Sequence, residues 1–99
     1  MVHKKIPLAK KSADGYEIPL GAINLVLVTT DRGMVGCGAF DIAALDPFDY
    51  PAARVKSGSG KPIATTEDLL GGIVKDANAG AAGLGIKAGM SGREALDLL

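Results

Sequence analysis

The run Ala22 to Val28 (AINLVLV) constrains this chain more than any other segment. Every residue in it but Asn24 is apolar, and valine, leucine and isoleucine dominate. So short and continuous an apolar run predicts a central strand buried on both faces. The uncharged stretch around it, Ile18 to Thr30, is interrupted by Pro19, Gly21 and Asn24. It falls short of the about 20 apolar residues that a bilayer span needs. Asp31-Arg32-Gly33 predicts a turn, and Met34 to Phe40 a returning strand in which Gly36 and Gly38 flank Cys37. Glycine inside a strand marks a bulge or a close backbone approach.

Upstream, Lys4 to Lys11 alternates, Asp14-Gly15 carries a hairpin-turn signal, and Tyr16, Ile18 and Leu20 alternate on the return. Pro7 and Pro19 argue that these are edge strands or that they leave the main sheet. The pattern predicts a ribbon with one apolar face formed by Ile6, Leu8, Tyr16, Ile18 and Leu20. A two-stranded ribbon is marginal alone in water, so that face needs a cover. A symmetry-related copy supplies one through an isologous contact, which makes residues 1–20 the expected oligomerisation element.

Downstream, Asp41 to Leu45 predicts one helical turn, and the prolines and aspartates of Asp46 to Pro51 an irregular loop. Ala52 to Lys56 reads as a short strand, and Ser57-Gly58-Ser59-Gly60 as a connection. A Thr65 or Thr66 N-cap followed by Glu67 and Asp68 opens a helix. Its predicted apolar stripe is Leu69, Leu70, Ile73, Val74 and Ala77, with Gly71-Gly72 inside and Asn78 and Gly80 as stops. Leu84, Ile86 and Ala88 alternate as a last strand, and Ser91-Gly92-Arg93-Glu94 is a capping box opening a terminal helix. The sum is an α+β fold: N-terminal β-hairpins forming a mixed sheet, followed by a βαβα unit, in one domain over residues 1–99.

Eleven basic residues balance eleven acidic ones, whereas nucleic-acid binders show a basic surplus; the chain is expected to bind neither nucleic acid nor membrane. Lys4, Lys5, Lys10 and Lys11 form a local cluster that discourages edge pairing. A single cysteine and the lack of a signal-peptide pattern point to a reducing, cytoplasmic setting. Aromatic residues are only 4% of the chain and glycines number 14, so the core is light, and small domains of this kind gain stability by burying surface against copies of themselves.

Three segments resemble a known family. Gly85 to Leu96 (GIKAGMSGREAL) is similar to the C-terminal signature of the YunC-like family of uncharacterised bacterial and archaeal proteins, Gly33 to Asp41 (GMVGCGAFD) to its central Cys-Gly segment, and Asp68-Leu69-Leu70 to its helix start. The resemblance implies an N-terminal β region that tetramerises. It implies no activity.

Two residues are candidates for chemistry. A cysteine thiolate serves as nucleophile where nearby positive charge stabilises it, and Cys37 lies between glycines that let a ligand approach; the alternative is a small buried hydrophobe. Asp41 fits a general base or a cap for its own turn. Arg54, Lys56 and Lys61 surround the Gly/Ser loop before Thr65 and Thr66, where free N–H groups favour an anion, and Arg93 is a further cationic candidate. Gly58-Ser59-Gly60-Lys61-Pro62 is not a P-loop, because the glycine spacing is wrong and Pro62 replaces the magnesium-binding hydroxyl residue. The glycines between Gly80 and Gly92 lack dinucleotide-site spacing, and His3 is the only histidine. No metal site and no cofactor are therefore expected. The expectation is a homo-oligomer, tetrameric by resemblance, that binds a small anionic ligand or acts as a scaffold. The alternative is an enzyme with its site at a subunit junction, using Cys37 or Asp41.

Overall fold

A computed structural model describes residues Met1–Leu99. One six-stranded sheet runs in sequence order: β1 (Val2–Pro7), β2 (Ser12–Pro19), β3 (Asn24–Thr29), β4 (Met34–Gly36), β5 (Ala52–Lys56) and β6 (Ile73–Ala77). All neighbouring strands pair antiparallel except β4 and β5, which are parallel, so the sheet is mixed. A 3₁₀ helix (Ala43–Phe48) lies in the β4–β5 connection, and α1 (Thr66–Leu70), α2 (Ala79–Gly83) and α3 (Gly92–Asp97) are all short. This is the α+β class expected. No helix is long and apolar enough to cross a membrane.

Alternation along the strands divides the sheet into two faces. The inner face, with Ile6, Ala13, Val26, Val28, Val35, Ala53, Val55 and Val74, joins Leu69, Ile86, Leu96 and Leu99 in the main core. On the outer face a smaller core of Met34, Ile42 and Ala52 is packed by Leu27, Phe40, Leu45 and Tyr50. Tyr16, Ile18 and Leu25 share that outer face over β2 and β3 and belong to neither core.

Several local expectations are corrected. The first hairpin does not turn at Asp14-Gly15; it turns at Leu8 to Lys11, where the Leu8 N–H donates to the Lys11 carbonyl at 2.7 Å. Gly15 is instead a packing residue. A Cβ there would lie 2.7 Å from Ile6 Cδ1 and 2.8 Å from Thr66 Cγ2, because the first turn of α1 rests on it. The turn's new position also splits the supposed apolar face: Ile6 points inward, whereas Tyr16 and Ile18 point outward. A one-residue change of register exchanges the two faces of a strand.

The predicted helix from Thr65 to Ala77 stops at Leu70. Gly71 caps it, and Gly72 approaches the Lys56 carbonyl so closely that a Cβ would sit 2.9 Å from that oxygen. Ile73 to Ala77 then runs as β6 beside β5. Leu84 to Ala88 is not a strand, because Gly85 and Gly89 adopt φ values of +95° and +98°, a left-handed conformation open mainly to glycine. Ile86 is nevertheless buried in the core. Asn78, read as a helix stop, is the N-cap of α2 and is buried. Its Oδ1 accepts from the amides of Ala52 and Ala81, and its Nδ2 donates to the carbonyls of Ile42 and Tyr50. The Asp46–Pro51 segment is partly ordered, as the 3₁₀ helix continues through Pro47 to Phe48.

Candidate functional site

Cys37 directly continues β4. Its amide donates to the Val26 carbonyl at 3.0 Å, and the residue is 8% exposed. It opens on a cleft of about 200 Å³ whose wall includes Lys56 on β5, Lys61 and Ile63 in the loop before α1, and Lys75 on β6. No acidic residue lines this cleft. Lys56, Lys61 and Lys75 make no ion pair, whereas Lys4, Lys5 and Lys11 are all matched to carboxylates. In a chain of zero formal net charge, three unmatched ammonium groups around one cleft create a local positive potential, which attracts anions.

Lys75 reaches the cleft because of a β-bulge. Val55 pairs with Val74 and Arg54 with Asp76, so Lys75 has no partner on β5. Val74 remains in the core while Lys75 and Asp76 both leave it. Bulges re-aim side chains in this way, often beside functional sites. The sequence pattern gave no sign of Lys75, because Ile73 to Ala77 read as helix; two adjacent charges in a segment that must pair with β5 are the signal that could have exposed it.

The other candidates lie elsewhere. Arg54 is committed to Asp76: its Nε donates to Oδ1 at 2.9 Å, a second short contact joins the same two side chains, and its NH1 donates to the Phe40 carbonyl at 3.3 Å. The guanidinium in turn holds the Asp76 carboxyl below the usual carboxylate range. Asp41 lines a separate cavity of about 270 Å³ with Arg54, Asp76 and Asp46. It stands just ahead of the 3₁₀ helix, whose N-cap residue is Ile42, and its Oδ1 accepts from the Ala44 amide at 3.3 Å. Cys37 and Asp41 therefore line different cavities. Arg93 donates to the Pro7 carbonyl and ties α3 to the end of β1.

At the start of α1 the chain supplies its own anions. Thr65 and Asp68 form a capping box. The buried Thr66 amide donates to Glu17 Oε2 at 2.8 Å, and Lys4 Nζ stands 3.0 Å from the same oxygen. That amide, then the ammonium, hold the Glu17 carboxyl below its ordinary range. An outside anion at Thr65 and Thr66, as the sequence suggested, meets amides already occupied. No group of three or more His, Cys, Asp or Glu side chains is placed to hold a metal ion.

Residues 36–99 match the model of a domain of unknown function, DUF1805. The chain is also 35% identical over 79 residues to the uncharacterised protein YunC of Bacillus subtilis (strain 168), an alignment covering 80% of this chain and 77% of that protein. The chain belongs to the DUF1805 family. A crystal structure of a protein of unknown function, TA1206 from Thermoplasma acidophilum, has the same fold, with a TM-score of 0.84 over 97% of this chain and 89% of that one at 23% identity. Within this DUF1805 chain, Cys37, Lys56, Lys61 and Lys75 all fall inside the matched segment, whereas β1, β2 and β3 precede it.

Proposed function

We propose that this protein is a homo-oligomeric binding protein whose ligand is a small anion held in the Cys37 cleft. The observation that supports this reading is the convergence of Lys56, Lys61 and Lys75, none of them ion-paired, on a cleft without an acidic residue. The test is a titration of isotopically labelled protein with inorganic phosphate at low salt, followed by amide NMR. Millimolar phosphate should shift Cys37, Lys56, Lys61 and Lys75, and the shifts should vanish in a Lys61→Ala, Lys75→Ala double variant. An unchanged spectrum around the cleft refutes the reading.

Assembly rests on the outer sheet face. Tyr16, Ile18 and Leu25 lie outside both cores, and Leu20 nearby is exposed. Two copies that bury this face against each other form an isologous dimer, and pairs of dimers give the tetramer implied by the sequence resemblance. Ile18→Asp should yield smaller particles in sedimentation. A wild-type protein that sediments as a monomer at micromolar concentration refutes assembly through this face.

One observation favours an enzymatic second reading: Cys37, a residue type that serves as a nucleophile, lines the same cleft as the three lysines. Reaction with a thiol reagent across a pH series decides it. A titration midpoint well below the ordinary cysteine range supports a nucleophile, and slow labelling throughout supports a buried packing residue.

A further inference from the structure

We infer that the anion bound beside Cys37 is the head of an amphipathic small acid, whose apolar body lies in the adjoining cavity between the β2–β3 turn and the loop before α1. This inference rests on the anion reading above. The adjoining cavity has a volume of about 530 Å³ and shares Ser57, Lys61, Pro62 and Ile63 with the Cys37 cleft. Cavities that enclose small organic ligands run to roughly 300–1,000 Å³; the cleft alone is smaller than that, and its neighbour falls inside the range.

Three features suit the neighbour to an apolar body. Ile23 lines it and is 64% exposed, although the turn itself needs only the Leu20 amide on the Ile23 carbonyl and a left-handed Gly21, neither of which calls for an apolar side chain. Pro62 and Ile63 extend the apolar wall toward the cleft. The walls are also fastened to each other, since Asn24 Nδ2 donates to the Ala64 carbonyl at 3.0 Å. A cavity held open in this way loses little freedom when a ligand enters.

Charge sets the orientation. The cleft is lined by Lys56, Lys61 and Lys75 without an acid, whereas the second cavity has Lys61 as its one basic residue and is lined by Asp68 as well. Asp68 is held ionised mainly by the Ala64 amide, which it accepts at 3.1 Å, and its charge disfavours a second anion there. The anionic head therefore belongs at Cys37 and the uncharged body toward Ile23.

The experiment titrates the labelled full-length chain with acetate, butyrate, hexanoate and octanoate below micelle-forming concentrations, with inorganic phosphate alongside. Acetate and phosphate should shift resonances around Cys37, Lys56, Lys61 and Lys75 only. Affinity should then rise about three- to fourfold for each added methylene, and shifts at Ile23, Asn24 and Ala64 should appear with the longer acids alone. Ile23→Ser, at an exposed turn, should flatten the dependence on chain length and leave the acetate response as it was. If affinity stays flat from acetate to octanoate while the cleft still responds, the apolar body is refuted and the anion site stands. Octanoate shifts confined to Tyr16, Ile18 and Leu25 overturn the inference as well, by assigning its binding to the outer sheet face. No cleft shift with any acid or with phosphate removes both.

Discussion

Glu17 offers the sharpest test of how this fold holds itself together. It sits on the inner face of β2 beneath α1, is 9% exposed, and accepts the buried Thr66 amide at 2.8 Å while Lys4 approaches the same oxygen at 3.0 Å. Glu17→Gln keeps a carbonyl acceptor and loses the charge. Hydrogen bonds to charged groups contribute about 1.5–3 kcal/mol and neutral ones about 0.5–1.5, so this change should cost about 1 kcal/mol. Glu17→Leu removes the acceptor as well and strands a buried N–H, whose desolvation alone costs about 1–3 kcal/mol. The Leu variant should therefore be the weaker of the two, by about 1 kcal/mol or more. Urea unfolding at one protomer concentration measures both, provided the slope is unchanged. The carboxyl is held below its ordinary pKa in the folded state, so the charge-dependent part of its contribution is complete above the unfolded value of about 4.3 and is lost as pH falls through the folded value. The gap between wild type and Glu17→Leu should be full at neutral pH and narrow on acidification toward the gap between Glu17→Gln and Glu17→Leu, because the neutral carboxyl still accepts the Thr66 amide. Equal midpoints for the Gln and Leu variants, or a gap that widens in acid, would refute the argument.

Other substitutions probe the close packing and the caps. Gly15→Ala should destabilise by about 1–3 kcal/mol, because its Cβ would meet Ile6 and Thr66; a neutral result in thermal unfolding would return Gly15 to the role of a turn residue. Gly92→Ala should cost more than Gly15→Ala in the same assay, since its Cβ would run into the Leu69 backbone carbonyl, which cannot rotate away as a side chain can. Ser91→Ala should cost about 0.5–2 kcal/mol, because Ser91 Oγ accepts the Glu94 amide at 3.1 Å; an unaltered urea midpoint would mean that the capping contact contributes nothing.

What could be read from the sequence was whatever local chemistry decides. The strand Ala52–Lys56, the threonine N-cap of α1 and the capping box of α3 follow from residues within a few positions of one another. The errors arose where a distant partner decides. Leu69, Leu70, Ile73, Val74 and Ala77 recur at helical spacing, yet Gly72 must pass close to the Lys56 carbonyl, and pairing with β5 draws Ile73–Ala77 into the sheet. Asp14-Gly15 has the composition of a turn, yet Gly15 is small because α1 presses on it. The site divides along the same line. Cys37, Lys56 and Lys61 stood out by residue type, whereas Lys75 joins them only through a pairing register that no local pattern announces. The Thr66 amide looks free in the sequence because its carboxylate partner, Glu17, lies 49 positions away.

The bulge at Lys75 also bears on how such a site is acquired. Without that residue, Val74 opposite Val55, Asp76 opposite Arg54 and Ala77 opposite Ala53 would form an uninterrupted ladder. Lys75 thus stands in β6 as one extra residue in an otherwise regular strand. A single-codon insertion is enough to add the third ammonium group to the cleft without disturbing the core pair or the ion pair on either side, and a single-codon deletion is enough to remove it. One step of length change at this position therefore decides whether the cleft carries its third lysine, with Val74 and the Arg54–Asp76 pair left in place.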